Sequence, residues 1–205
     1  NNAQVYFEDG AYVFVNDPLT NGESKVSEDA DLTNETKFKK DFSHYLPLFQ
    51  VKSVNNVKIY GNAIIDFSKN EEEGKSFVIT DGSSDVVVSN VTLINLSEWA
   101  IDVRTTFADI NNVGIISYRD DGKGIFLSNV AENTKVSYCF MRTTDVPITL
   151  ATTYYDLGQS LSNIILKDIS AITDGDVALY LGYRRDRFKG RSEERRVGKE
   201  CRSRW

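Results

Sequence analysis

The chain has 205 residues and a formal net charge of -6, with 40% hydrophobic, 26% charged and 11% aromatic residues, the profile of a globular protein with material for one sizeable core. No stretch approaches the roughly 20 consecutive apolar residues of a membrane helix, and the acidic balance argues against nucleic acid, whose phosphates need clustered Lys and Arg. The charge is uneven: ten of the 24 basic residues but only four of the 30 acids fall between Arg184 and Trp205, leaving 14 basic against 26 acidic residues before them.

The sequence opens without Met and lacks the basic and apolar regions of a signal peptide, running directly into a strand-like Val5-Tyr6-Phe7. It reads as a fragment whose natural N-terminus has been cut away. Residues 16–43, rich in Asp, Glu, Lys, Asn and Ser without a sustained apolar period, read as a polar loop inserted between coils, with a second acidic tip at Glu71 to Lys75. The single histidine, His44, lies beside the insertion with no obvious partner, so a Ser-His-Asp arrangement is not supported.

From residue 48 onward, short β-rich runs recur in two interleaved ladders. The first begins at Asn56, Asp85, Asn112, Thr134 and Asn163; the second comprises Leu48–Val51, Phe77–Thr80, Ile101–Val103, Ile125–Leu127, Ile148–Leu150 and Ala178–Leu181. Asn and Asp before a strand tolerate left-handed backbone. Two ladders at a step of 22 to 30 residues, with almost no helical period, predict a solenoid in which each repeat is one coil. The expected fold is all-β, a right-handed single-stranded parallel β-helix over residues 1–183. An antiparallel sandwich competes with it but gives no reason for two ladders to share a long step.

Only two cysteines are present, which excludes a disulfide framework or a Cys-based zinc site; Cys139, in a strand-like run, is expected to be a buried, inert thiol. Residues 184–205 have no apolar period, and the stretch from Arg191 to Trp205 resembles a vector-derived reading frame, so this basic tail is read as a non-native scar.

Equivalent positions of successive coils stack about 4.8 Å apart. Glu98, Asp121, Asp145, Asp174 and Asp176 each precede a strand of the second ladder and are expected to form a line of carboxylates on one face. Stacked acids raise one another's pKa, so Asp121 and Asp145 would hold one protonated acid beside one ionised base, the pairing a glycosidase needs. Such a line would also suit calcium. Trp99, Tyr118, Tyr154, Tyr155, Tyr180 and Tyr183 are candidate sugar platforms, and Arg104, Arg119 and Arg142 candidate orienting groups.

Several stretches resemble the pectin-lyase-like β-helices, in particular polygalacturonase-type hydrolases and their dextranase and isopullulanase relatives. Val5-Tyr-Phe-Glu-Asp-Gly-Ala-Tyr-Val13 is similar to a stretch opening such solenoids, and Asn56-Val-Lys-Ile-Tyr-Gly-Asn-Ala-Ile-Ile-Asp66 to their Asn-Val-x-Ile-x-Gly-x-Gly-x-Ile-Asp coil, with Ala63 at the second Gly. Asp120-Asp121-Gly122-Lys123-Gly124-Ile125 resembles a dextranase-like Thr-Asp-Gly-x-x-Ile, placing Asp121 on that motif's acid. Thr144-Asp145-Val146 falls on the polygalacturonase Asp-Asp pair with Val146 at the second acid. Gly175-Asp176 to Tyr183 resembles a later dextranase-type strand, and the Gly-His-Gly and Arg-Ile-Lys elements are absent.

The resemblance implies a secreted or surface monomer that hydrolyses a polygalacturonan- or dextran-like polysaccharide without cofactor or metal. Asp145 is then the expected general acid, Asp121 the base and Asp176 a supporting acid, with Arg142, Tyr183, Tyr180, Lys123 and Asp120 contacting sugar. The alternative is a catalytically inactive carbohydrate-binding or structural β-helix, which Val146 favours.

Overall fold

The computed structural model describes residues 2–16, 47–70, 76–128, 131–151 and 161–182. Most of the polar insertion, His44, the tip at 71–75, Tyr154, Tyr155, Tyr183 and the tail 184–205 lie outside the described residues. Within them the chain forms strands and no helix: β1 (Ala3–Tyr6), β2 (Tyr12–Phe14), β3 (Phe49–Lys52), β4 (Asn55–Asp66), β5 (Val78–Asp81), β6 (Ser84–Ile94), β7 (Trp99–Val103), β8 (Thr106–Asn111), β9 (Gly114–Ile116), β10 (Lys123–Ser128), β11 (Glu132–Ser137), β12 (Phe140–Thr143), β13 (Ile148–Ala151), β14 (Ser162–Lys167), β15 (Ser170–Thr173) and β16 (Leu179–Leu181). No helix there is long and apolar enough to cross a membrane.

Every pairing between these strands is parallel, which excludes the antiparallel sandwich. A six-stranded sheet runs in the order β16-β13-β10-β7-β5-β3 and holds the whole second ladder. The other sheet has ten strands and divides into two columns. The first column contains β1, the start of β4, the start of β6, β8, β11 and β14; the second contains β2, the end of β4, the end of β6, β9, β12 and β15.

The expected first ladder therefore merged two columns. Its members Asn56, Asp85 and Asn163 stand at the head of the first column, but the run beginning at Asn112 belongs to the second, and the strand that follows β6 in the first is β8. The merger has a conformational cause. Asn56, Asp85, Phe107, Asn133 and Asn163 open the first column with φ between +50° and +56°, while Asn90, Asn112, Tyr138 and Asp168 mark the corner into the second with φ between +52° and +58°. One left-handed polar signal thus announces two different corners.

Alternation builds the core. In β4, Val57, Ile59, Ala63 and Ile65 are buried while Lys58, Asn62 and Ile64 face outward, the period of two that a sheet with one covered face requires. In β6 the buried set runs Val86, Val88, then Val91 and Leu93; left-handed Asn90 absorbs the change of phase, so both halves point inward. β4 meets the same corner with a bulge between Tyr60 and Ala63, where Gly61, at φ +134°, approaches the first winding so closely that a Cβ would stand 2.0 Å from the Phe7 carbonyl oxygen. Across the six-stranded sheet, Phe49, Val78, Ile101, Ile125, Ile148 and Leu179 share one register row. Ile101 and Ile125 are fully buried, each contributing about 1.5–3 kcal/mol by leaving water.

Candidate functional site

The acids assemble where the chain leaves the second column and enters the six-stranded sheet. Glu98 precedes β7, Asp120 and Asp121 precede β10, Asp145 precedes β13, and Asp174 and Asp176 precede β16. The corner before β10 is tight: Asp121 is left-handed at φ +58°, the Gly122 N–H donates to the Arg119 carbonyl at 3.1 Å, and a Cβ at Gly122 would lie 2.5 Å from Ser117 Oγ. The next winding is tied down by the Asp145 N–H, which donates to the Gly122 carbonyl at 3.1 Å, and by the Thr143 and Thr173 hydroxyls, which each donate to the Asp145 carbonyl at 2.6 Å.

These pairings correct the expected stacking by one residue. Lys123 lies opposite Trp99, and Ile125 opposite Ile148, so Glu98, Gly122 and Asp145 form the register row while Asp121 stands beside it. The acids meet through a cation instead. Lys123 Nζ lies 3.0 and 3.2 Å from the Glu98 carboxylate oxygens, 3.8 Å from Asp121 Oδ1 and 3.8 Å from Asp145 Oδ2. Three carboxyls, from the turns before β7, β10 and β13, thus converge on one ammonium. Among the described residues, no cluster of three His, Cys, Asp or Glu side chains is arranged to hold a metal.

The three carboxyls differ in exposure: the side chains of Glu98, Asp145 and Asp121 are 11%, 38% and 70% exposed. Burial pushes the Glu98 carboxyl above its ordinary value, against the opposing pull of Lys123. Burial therefore favours the protonated form of Glu98, which the sequence placed in the acid line without assigning it a role. Beside it, the Trp99 ring stacks on Phe126 with centroids 5.0 Å apart, and Lys123 Nζ stands 5.8 Å from the Trp99 ring.

The remaining expected site residues are dispersed. Asp120 is exposed in the turn before Asp121, and Asp176 is exposed one winding beyond Asp145, outside the reach of the Lys123 contacts. Arg142 is engaged with Asp174 through two contacts of 2.9 and 2.7 Å and lies over the Tyr118 ring at 5.3 Å. Arg104 pairs with Asp102, and Arg119 donates to the Phe67 and Asn70 carbonyls, so all three arginines make internal contacts. Tyr180 is half-buried on the outer face of the six-stranded sheet, in a row with Asp102, Phe126 and Thr149.

Asp102 is the acid that sequence reasoning missed. It is 2% exposed on that outer face, bonded to Arg104 and, at 3.4 Å, to the Ser128 hydroxyl. An acid inside an apolar strand with an arginine two positions on was the available signal. Cys139 is buried, and burial raises its thiol pKa.

The sequence matches no protein-family model and no curated protein. Among solved structures, the chain is similar to a candidate glycosyl hydrolase from Parabacteroides merdae ATCC 43184, with 13% identity, 83% of this chain and 75% of that one covered, and a TM-score of 0.48. A likeness of that size carries no argument about chemistry.

Proposed function

We propose that the chain is part of a right-handed parallel β-helix of the pectin-lyase-like kind, secreted or held at the cell surface, which acts as a monomer and hydrolyses glycosidic bonds in a polygalacturonan- or dextran-like polysaccharide. The recurrence of the same three columns in the same order along the chain supports the coil. The convergence of Glu98, Asp121 and Asp145 on Lys123, beside Trp99, carries the activity.

In this reading the buried Glu98 replaces Asp145 as general acid, because desolvation favours its protonated form. It donates its proton to the departing glycosidic oxygen. Asp145, with Asp121 beside it, accepts the proton of the attacking water or attacks the sugar carbon itself. Lys123 holds both acids at one point: the nearest oxygens of Glu98 and Asp145 lie no further apart than the two ammonium contacts laid end to end.

The test is to count reducing ends released from dextran and polygalacturonate. Glu98→Gln and Asp145→Asn are each expected to lower the rate by about 100-fold or more; full rates in both variants would remove these residues from the mechanism. The engagement of all three acids by one lysine, together with Val146 at the second acid position, favours a second reading, a non-catalytic glycan-binding module. Binding without released product would select it.

A further inference from the structure

We infer that the corner joining the first and second columns carries a glycan-binding groove of its own, at the far end of the second column from the acid cluster and suited to a neutral sugar chain. The groove has a volume of about 380 Å³ and is lined by Asn62, Asn90, Asn112, Gly114, Tyr138 and Phe140, at the lower end of the range of small-molecule sites.

Its floor is a missing side chain. Thr92, Gly114 and Phe140 share a register row on the outer face, and a Cβ at Gly114 would stand 3.2 Å from Thr92 Oγ1, so glycine leaves a hollow beside the Phe140 ring. One wall is a row of carboxamides, in which Asn112 Nδ2 donates to Asn90 Oδ1 at 2.9 Å. Amides offer both donors and acceptors, as sugar hydroxyls require.

The other wall is aromatic at a conformational cost. Tyr138 takes φ +55° in a row whose other members are Asn90, Asn112 and Asp168, and the residue is 54% exposed. A bulky residue in left-handed backbone is an outlier that persists where something other than local stability selects it. Phe140 beside it is 41% exposed. Rigid rings next to neutral amides fit the apolar face and the hydroxyl rim of a pyranose together.

Neutrality follows from the surroundings. The lining contains no carboxylate or ammonium group, and the nearest cation on Tyr138, Lys167 at 5.8 Å from the ring, is paired with Asp168 at 3.8 Å. A polyuronide would meet no free cation in the lining and an acidic protein around it.

Electrophoresis of the whole chain through native gels cast with dextran or polygalacturonate reads this site whether or not bonds are cleaved. Dextran is expected to retard the protein. Tyr138→Asn, which installs the residue type the corner otherwise uses, and Phe140→Ser should each weaken that retardation by about tenfold, while their thermal unfolding stays cooperative and the release of reducing ends from a short oligosaccharide is unchanged. Retardation by polygalacturonate alone, no retardation by either polymer, or full dextran retardation in both variants would overturn the assignment.

Discussion

Replacing Gly124 by Ala probes the parallel pairing of β10 with β13 at a point of closest approach. A Cβ at Gly124 would stand 2.0 Å from the Pro147 carbonyl oxygen and 2.8 Å from its carbon, whereas non-bonded heavy atoms settle at about 3.5–4 Å. The methyl group must therefore push β10 away from the turn entering β13 by more than about 1 Å. Two bonds hold these segments together there, from the Gly124 N–H to the Val146 carbonyl at 3.2 Å and from the Ile125 N–H to the Pro147 carbonyl at 2.8 Å. Both would stretch beyond hydrogen-bonding range.

Each buried backbone group left without a partner costs about 1–3 kcal/mol, and the row through Ile101, Ile125 and Ile148 loosens with them, so the expected loss is about 3–5 kcal/mol. At roughly 2–4 °C per kcal/mol for a chain of this size, the thermal midpoint should fall by about 6–20 °C. Circular dichroism during heating measures it. Gly82→Ala is the control: its nearest neighbour is Ser53 Oγ at 3.9 Å, so only the left-handed backbone is charged, about 1–2 kcal/mol. A Gly124→Ala protein that melts with its parent would refute the register between β10 and β13.

In the same register row, Ile101→Ala, at a fully buried site, should lower the unfolding free energy by about 2–5 kcal/mol in denaturant titrations, whereas Leu181→Ala, at a 63% exposed site, should change it by about 0.5 kcal/mol or less. Because Glu98 binds its proton more tightly in the folded chain, stability should decline as pH rises from its ordinary 4.5 through the raised value; melting of Glu98→Gln across that window should lack the decline. At Asp66, burial favours the protonated form, but hydrogen bonds from Ser68 and Tyr12 outweigh it and hold the carboxyl below its ordinary 3.8. Its contribution is therefore present above that value and is lost as pH falls through the lowered one. Tyr12→Phe, which removes a 2.7 Å bond to Asp66 Oδ2, should move the acid limb of the stability profile to higher pH.

The six-stranded sheet was legible in the sequence because its strands are short apolar runs set off by polar corners, and the runs beginning at Phe77, Ile101, Ile125 and Ile148 fall within a residue of their pairing. The second column was not, because β4 and β6 pass through its corner without a break and the polar residues that mark the bend are of the same type as those that open the first column. Phe107 hid β8 by standing, at φ +56°, where the neighbouring strands of the first column carry Asn or Asp. At the site, the acids were visible as a line, but turn geometry displaced Asp121 from its row. The lysine that gathers them was legible only as a motif position. Side-chain reach across windings has no period in sequence, so the Lys123 contacts and the Asp102–Arg104 pair required coordinates.

The connections between the two columns and the six-stranded sheet differ in how freely their length varies. From the first column to the second the chain always turns within a few residues, as from Ser137 to Phe140 or from Lys167 to Ser170. From the second column to the six-stranded sheet the connection ranges from the few residues between Thr143 and Ile148 to the long span between Phe14 and Phe49. Glu98, Asp121 and Asp145 all sit on this elastic corner. Segments there can lengthen or shorten without disturbing a single buried row, so the surroundings of the acids are open to remodelling while the rungs that space them stay fixed.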